Sequence, residues 1–323
     1  MSVETSDRST VRATGVSALL TQRRRKPPRP VKIKERGVDR LFMVGVYVLL
    51  TTFLVAVLVP LIYIVASSFS DPRAVSAGRV MLWPVDFTLD GYTAVLGDPQ
   101  ILTGFGNSLF YTGVGTAVSL VLTVAIAYPL SRKEFWGRGF LAAGIVFTML
   151  FAGGLIPTYL VVQELGLLNT RWALILPQAV GVWQTILAMA FFRASIPDEL
   201  YEAAQLDGSS DMRFLRSVVL PLSKPLLAVI GLMYAITQWN SYFDALLYIR
   251  DPDLYPLQLV LRNILILNQS VAGMDAAEML RRQELADLLK YSLIVVATVP
   301  VMLIYPFVAR YFTKGVMLGA VKG

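Results

Sequence analysis

The stretch Ser195-Ile196-Pro197-Asp198-Glu199-Leu200-Tyr201-Glu202-Ala203-Ala204-Gln205-Leu206-Asp207-Gly208 carries the signals for both ends of one short helix. Ser195 is the expected N-cap, Pro197 stands in the first turn, and Asp198 and Glu199 follow it. All four suit unpaired N–H groups and the positive end of a helix dipole. Gly208 supplies the residue past the last turn that can turn left-handed. Glu199 and Glu202, three apart, share a face, with the small Ala203 beside them. Ser209 or Ser210 can cap a second short helix holding Phe214 and Leu215, before Leu220-Pro221-Leu222. The expectation over 195–222 is a helix–glycine–helix hairpin.

What flanks this hairpin decides the fold class. The charge-free run Trp172–Phe192 precedes it and Pro225–Phe243 follows it. Each has about the 20 residues that a spanning helix needs. Further out lie Leu41–Ser70, Pro99–Ser131, Gly139–Gln163 and Tyr291–Ala309. An apolar run can also be a buried core helix, but the composition speaks against six of those. Of 323 residues, 55% are hydrophobic and 16% charged, and the mean hydropathy is +0.60. Soluble domains carry about a quarter charged residues. The expected class is therefore an all-α integral membrane protein with six transmembrane helices.

The scarce charges also give a topology. With six spans both termini share a side, and 21 of the 29 Lys and Arg fall there, against eight opposite. Basic residues near span ends stay cytoplasmic, so both termini and the 195–222 hairpin are expected in the cytoplasm. Residues 1–40 hold eleven basic residues, including Arg23-Arg24-Arg25-Lys26, and no apolar segment resembling a signal peptide. They are expected to form a disordered cytoplasmic arm attracted to anionic membrane lipid, not to nucleic acid, with a regulatory or partner-binding arm as the alternative. Asp71–Gly104 and Arg250–Lys290 are long outer segments. The first is rich in turn chemistry at Trp83-Pro84, Asp90-Gly91 and Asp98-Pro99. The second contains Ala276–Leu289, a charged amphipathic stretch suited to a short surface helix.

The absences exclude chemistry. There is no Cys and no His, so thiol nucleophiles, disulfides, imidazole acid–base catalysis and His- or thiolate-ligated metals are ruled out within this chain. No Gly-x-x-x-x-Gly-Lys-Ser/Thr phosphate loop occurs. No catalytic residue and no metal ligand is assigned. Polar residues inside spans are costly and tend to face the bundle interior. Gln238, Asn240, Ser241, Tyr242 and Asp244 form the densest such group, at the end of the fifth run. Asn240 and Asp244 suit the hydroxyls of a polar solute, and Trp239 or Tyr242 can stack on a flat face of one, such as a sugar ring if the cargo is one. Hydrogen-bonding between helices explains Asn240 and Tyr242 equally well, and Asp244 can equally be solvated or part of a gate. Gln184 and Asn107 are weaker candidates. Gly113 and Gly115 read as close-packing positions, and Gly153-Gly154 before Pro157 as either packing or a broken helix.

Several of these segments also resemble a known family. Glu202-Ala203-Ala204, Gly208 four residues after the second alanine, and Leu220-Pro221 resemble the EAA loop of binding-protein-dependent ABC importer permeases. Val218 stands where the family often has Ile. Phe147–Tyr159 resembles the third span of oligosaccharide-type permeases, and Gln238–Asp244 their fifth. The tail Lys314–Gly323 is similar to the ending of maltose-type permeases that inserts between the ATPases. The resemblance covers 41–323, nearest the lipo-oligosaccharide and aldouronate branch. It implies a type I ABC importer permease fold, with a permease domain over 41–323, a coupling loop at 195–222 and a C-terminal tail at 311–323.

On that resemblance, Glu202, Ala203, Ala204, Asp207 and Gly208 couple to an ATPase groove, and Lys314, Gly315 and Lys322 make a second ATPase contact. Asn240, Tyr242, Asp244, Trp239 and Gln184 remain the pathway candidates. The implied partners are a second homologous permease, two ATPase subunits, an extracytoplasmic solute-binding protein and an oligosaccharide. This chain binds no cofactor of its own, and ATP and Mg²⁺ sit on the ATPases. The implied location is the bacterial cytoplasmic (inner) membrane. The competing class is a stand-alone ion- or proton-coupled transporter. It needs buried carboxylates or His, and only Asp244 among 22 acids lies near a span.

Overall fold

The computed structural model describes residues 37–266 and 276–319, with side chains over 37–266, 286–306 and 309. The chain divides into two units, 1–56 and 57–323. In the first, the described residues 37–56 form one continuous apolar helix exposed almost throughout.

The helices are, in order, α1 (Gly37–Ser68), α2 (Pro72–Ser76), α3 (Asp90–Gly97), α4 (Pro99–Ser131), α5 (Arg138–Leu150) and α6 (Leu155–Glu164). Next come α7 (Trp172–Ile175), α8 (Val182–Ser195), α9 (Asp198–Leu206) and α10 (Asp211–Phe214). A π-helical turn (Leu215–Val219) leads into α11 (Leu220–Leu222), α12 (Lys224–Trp239) and α13 (Phe243–Tyr248). A 3₁₀ turn (Pro252–Leu254), α14 (Leu257–Ile266) and α15 (Ala276–Gly319) complete the fold. Among the described residues the sole β pairing is an isolated bridge between Ser70 and Phe87.

By length and hydropathy, α1, α4 and Ala286–Pro306 of α15 can each cross a membrane. Two bent pairs bring the number to five: α5 with α6, at 116°, and Asp211–Leu222 with α12, at 80°. The second run, Pro99–Ser131, matches α4 end to end because its boundaries are chemical. Asp98 caps α4 by accepting from the N–H groups of Gln100 (2.8 Å) and Ile101 (3.2 Å), and Pro99 needs no donor at the first position. Asp98-Pro99 is thus a helix start, and the segment 71–104 holds α2 and α3 instead of turns alone.

Four other expectations change. The third run breaks at Phe151–Gly154, so of the two readings of Gly153-Gly154 the broken helix holds. The fourth run, Trp172–Phe192, is not one helix. Pro177 and Gly181 interrupt it, and α8 alone has 14 residues. The fifth ends at Trp239, four residues before Phe243. Finally, Ala276–Leu289 is not a separate surface helix, because it is continuous with the sixth run in α15.

In the second unit α4 is the element on which α8, α12 and α14 pack. Its contact with α12 is close because Gly115 lacks a side chain. A Cβ there would stand 2.9 Å from Cδ of Gln238, which is 2% exposed. Eight residues further along, the Thr123 hydroxyl lies 2.7 Å from the Tyr234 hydroxyl of α12. The same Tyr234 oxygen accepts from the Gly181 N–H, 2.9 Å away, at the start of α8. Three helices meet at that one hydroxyl. Around it Ala127, Met189, Phe192, Leu226 and Ile230 form a buried apolar cluster, held, as between membrane helices, by close van der Waals packing.

Candidate functional site

The hairpin grows directly out of this cluster. α8 ends at Ser195, Ile196 is buried, and Pro197, with no side-chain cap bond, precedes α9. Ser195 is therefore not the cap of α9, since its backbone is still helical in α8. The far end of α9 is as expected. Gly208 has φ +72°, its N–H donates to the Gln205 carbonyl, and the Ser209 N–H donates to Ala204 (both 2.9 Å). That pair of reversed bonds is a Schellman closure, which satisfies carbonyls otherwise left open. Ser210 then caps α10 by accepting from the Arg213 N–H.

One face of α9 is fastened and the opposite face is free. Tyr201 is buried, packs edge-on to Phe214 at 5.3 Å, and donates its hydroxyl to Oδ1 of Asp211 at 2.7 Å. The Arg132 guanidinium lies over the Tyr201 ring at 3.7 Å. The hydrogen bond to Asp211, aided by burial, holds the Tyr201 hydroxyl above its ordinary pKa. At 3.6 residues per turn, Glu199, Glu202, Ala203 and Leu206 cluster on the side away from Tyr201. Glu202, Ala203, Gln205, Asp207 and Gly208 are exposed, and Ala204 is half-buried toward the core.

Leu206 is 91% exposed, and Met212 (55%) and Leu200 (44%) of the same hairpin are exposed as well. The motif-based reading missed it. The signal was present, because Leu206 falls off the apolar face that Tyr201 defines. A large apolar residue held out on a capped helix, ringed by Glu199, Glu202 and Asp207, suits a partner groove better than water.

The start of α9 is tied to the α4–α5 loop. Lys133 Nζ donates to Asp198 Oδ2 at 2.6 Å. That bond lowers the Asp198 pKa and raises that of Lys133.

The pathway candidates are only partly brought together. Trp239 does not stand ready to stack on a sugar. It is 4% exposed, its indole N–H donates to the Ala297 carbonyl at 3.0 Å, and Phe105 packs edge-on to it. Asn240 ends α12 and bonds back to the Ile236 carbonyl, while Tyr242 is exposed. Asp244 is half-buried and accepts from Gln178, a residue the sequence reading did not mark. Gln184 folds back on Gly181, so Asp244 and Gln184 both reach the 176–181 loop. Asn107 is a structural clamp. Its amide donates to the Asp253 (2.7 Å) and Tyr255 (3.1 Å) carbonyls and its Oδ1 accepts from Arg171. Of the second ATPase contact, Lys314 and Gly315 lie where α15 side chains are not described, and Lys322 lies outside the described residues.

No family model matches the chain. It is 42% identical over 286 residues to the polygalacturonan/rhamnogalacturonan transport system permease protein YtcP of Bacillus subtilis, covering 88% of this chain and 99% of that one. It is 43% identical over 266 residues to protein LplC of the same organism, covering 82% and 90%. Among solved structures it is similar to a chain of a bacterial ABC transporter involved in the import of the acidic polysaccharide alginate. There the TM-score is 0.79 and the identity 36%, over 86% of this chain and 99% of that one.

Proposed function

We propose, starting from the fact that this chain belongs to the permease subunits of sugar ABC importers, that its α9–α10 hairpin is the lever through which separate ATPases drive it. The chain is a transport component, not an enzyme. The observation that carries the lever is α9 itself, locked on one face through Tyr201 and closed at Gly208, with Glu202, Ala203 and Leu206 presented outward. Glu202 offers a carboxylate to a basic residue, Ala203 permits close approach, and Leu206 fills an apolar recess.

Within this reading the chain crosses the cytoplasmic membrane six times with both termini inside. The third and fifth spans are the two bent pairs, and the fourth is α7, its break and α8. The exposed apolar surface of 37–56 faces lipid or a second, homologous permease. Two ATPase subunits hold ATP and Mg²⁺, Lys314, Gly315 and Lys322 contact them, and a solute-binding protein delivers the cargo from outside. The 1–40 arm rests on anionic lipid.

The cargo is an acidic oligosaccharide. That choice is supported by the names of the relatives, one a polygalacturonan/rhamnogalacturonan permease and one an importer of acidic alginate. Asn240, Tyr242 and Asp244 remain its candidate contacts, joined by Gln178.

The test is Glu202→Lys in the complete importer reconstituted in proteoliposomes. Insertion is expected to persist while substrate-stimulated ATP hydrolysis and uptake are abolished, and normal coupled uptake would overturn the lever. Comparing oligogalacturonate with neutral oligosaccharides in the wild-type assembly tests the cargo separately. Stimulation by neutral sugars alone would overturn the acidic assignment and leave the lever standing.

A further inference from the structure

Beside the hairpin lies a second constellation that neither sugar passage nor the outward face of α9 uses. The α4–α5 loop, the start of α5, the end of α8 and the start of α9 enclose a cavity of about 550 Å³. Its wall includes Arg132, Lys133, Arg138, Gly139, Arg193 and Asp198, four cations to one carboxylate. Basic residues gather near span ends in any membrane protein, so charge alone assigns nothing here.

Three other observations do. First, the Arg132 side chain is only 12% exposed and its Nη2 is buried with no hydrogen-bond partner, although Nε lies 3.4 Å from Glu134 and the guanidinium stacks on Tyr201. A buried donor without an acceptor is costly. Second, the 13-residue helix α5 begins on this wall with Gly137 at its cap position, no side-chain cap and no acid in its first turn, whereas α9, which also begins here, already carries Asp198 and Glu199 in its first turn. The uncapped N-terminus of α5 favours an anion. Third, the neighbouring guanidiniums are held in place by the backbone. Arg193 Nη2 donates to the Leu130 carbonyl at 2.8 Å and Arg138 Nη1 to the Arg132 carbonyl at 3.2 Å.

We propose that this cavity binds a phosphate group, carried either by an anionic phospholipid headgroup or by a soluble phosphate. Fork-shaped guanidinium groups match phosphate oxygens, and basic recesses between membrane helices take anionic headgroups. The bound phosphate bridges the α4–α5 loop to the start of α9 and so stiffens the root of the hairpin. The site goes beyond the lever reading, and its binding test does not depend on that reading.

The experiment is native mass spectrometry of the full importer titrated with phosphatidylglycerol, phosphatidylcholine or inorganic phosphate. Wild type is expected to retain phosphatidylglycerol about tenfold over phosphatidylcholine, and the double variant Arg138→Gln/Arg193→Gln to lose that preference. Arg216→Gln, on the hairpin but off this wall, is expected to keep it. Arg138→Lys retains the charge without the fork and is expected to lose a few-fold, which keeps the test open if the double variant fails to assemble. Binding of inorganic phosphate without lipid preference supports the soluble source. Equal retention of both lipids with no phosphate bound would overturn the proposal, as would full preference in the double variant.

Discussion

Gly208 offers the sharpest test of the hairpin, because its substitution perturbs one thing. With φ at +72°, an L-residue there costs about 1–2 kcal/mol in backbone strain. A Cβ at Gly208 would meet nothing within 4 Å, so no steric collision adds to that figure. A penalty of this size shifts an equilibrium about 5- to 30-fold, here between the closed Schellman turn and an opened end of α9. Gly208→Ala is therefore expected to weaken ATPase binding to the solubilised permease pair by up to that factor. Gly208→Asn should lose much less, since Asn tolerates the left-handed region, and Gly208→Val should lose more. The assay is a binding titration of the ATPase subunits, paired with substrate-stimulated ATP hydrolysis in vesicles. If Ala binds within twofold of wild type, or Asn is as impaired as Val, the turn does not hold the ATPase-facing surface and the reasoning fails.

Leu206→Ser should change folding stability by no more than about 0.5 kcal/mol, as exposed positions do, yet reduce ATPase affinity about tenfold. Equal affinity in pull-down titrations would remove Leu206 from the interface. Trp239→Phe removes the buried indole bond to the Ala297 carbonyl and is expected to cost about 0.5–1.5 kcal/mol, read as a lowered Tm. A changed sugar preference with unchanged Tm would restore Trp239 to the pathway. For Lys133→Gln, Asp198 titrates below the ordinary carboxylate range, so the pair's stabilisation is complete above that range and fades as pH falls through the lowered value. Lys133 titrates above the ordinary lysine range, so the stabilisation persists to alkaline pH before it fades. The variant's effect on hairpin protection in hydrogen exchange should thus match at about pH 6 and 8 and shrink steadily as the pH is taken below about 4. An effect that grows on acidification contradicts this.

How legible this fold was depended on whether a boundary is written in local chemistry. α4 was readable to the residue because Asp98, Pro99 and the Ser131–Arg132 charge step each mark an end. Gly208 was readable because only its φ closes that turn cheaply. The fourth run misled because hydropathy does not register the loss of helix geometry around Pro177 and Gly181, where the Gly181 N–H is satisfied by Tyr234 and not by its own helix. Trp239 misled for a related reason. Its ring face suggested stacking on a sugar, but the ring is buried and its N–H donates to a carbonyl 58 residues away, at Ala297. The bend at Ser223 had no sequence signal beyond Pro225, and Leu206 was hidden inside a motif whose named letters drew the attention.

The three-way joint at the Tyr234 hydroxyl has a mechanical consequence. A node tied to α4, α8 and α12 at once behaves like the corner of a truss, so that a push entering through Pro197 reaches all three members together. Little of it can be absorbed by sliding between them. In the proposed lever, the displacement would emerge where the helices are already interrupted, at the 80° bend by Ser223 and at the 116° break over 151–154. Those two interruptions would then be the joints of the proposed lever, and the stiffness between them would set how faithfully a stroke at the hairpin is transmitted.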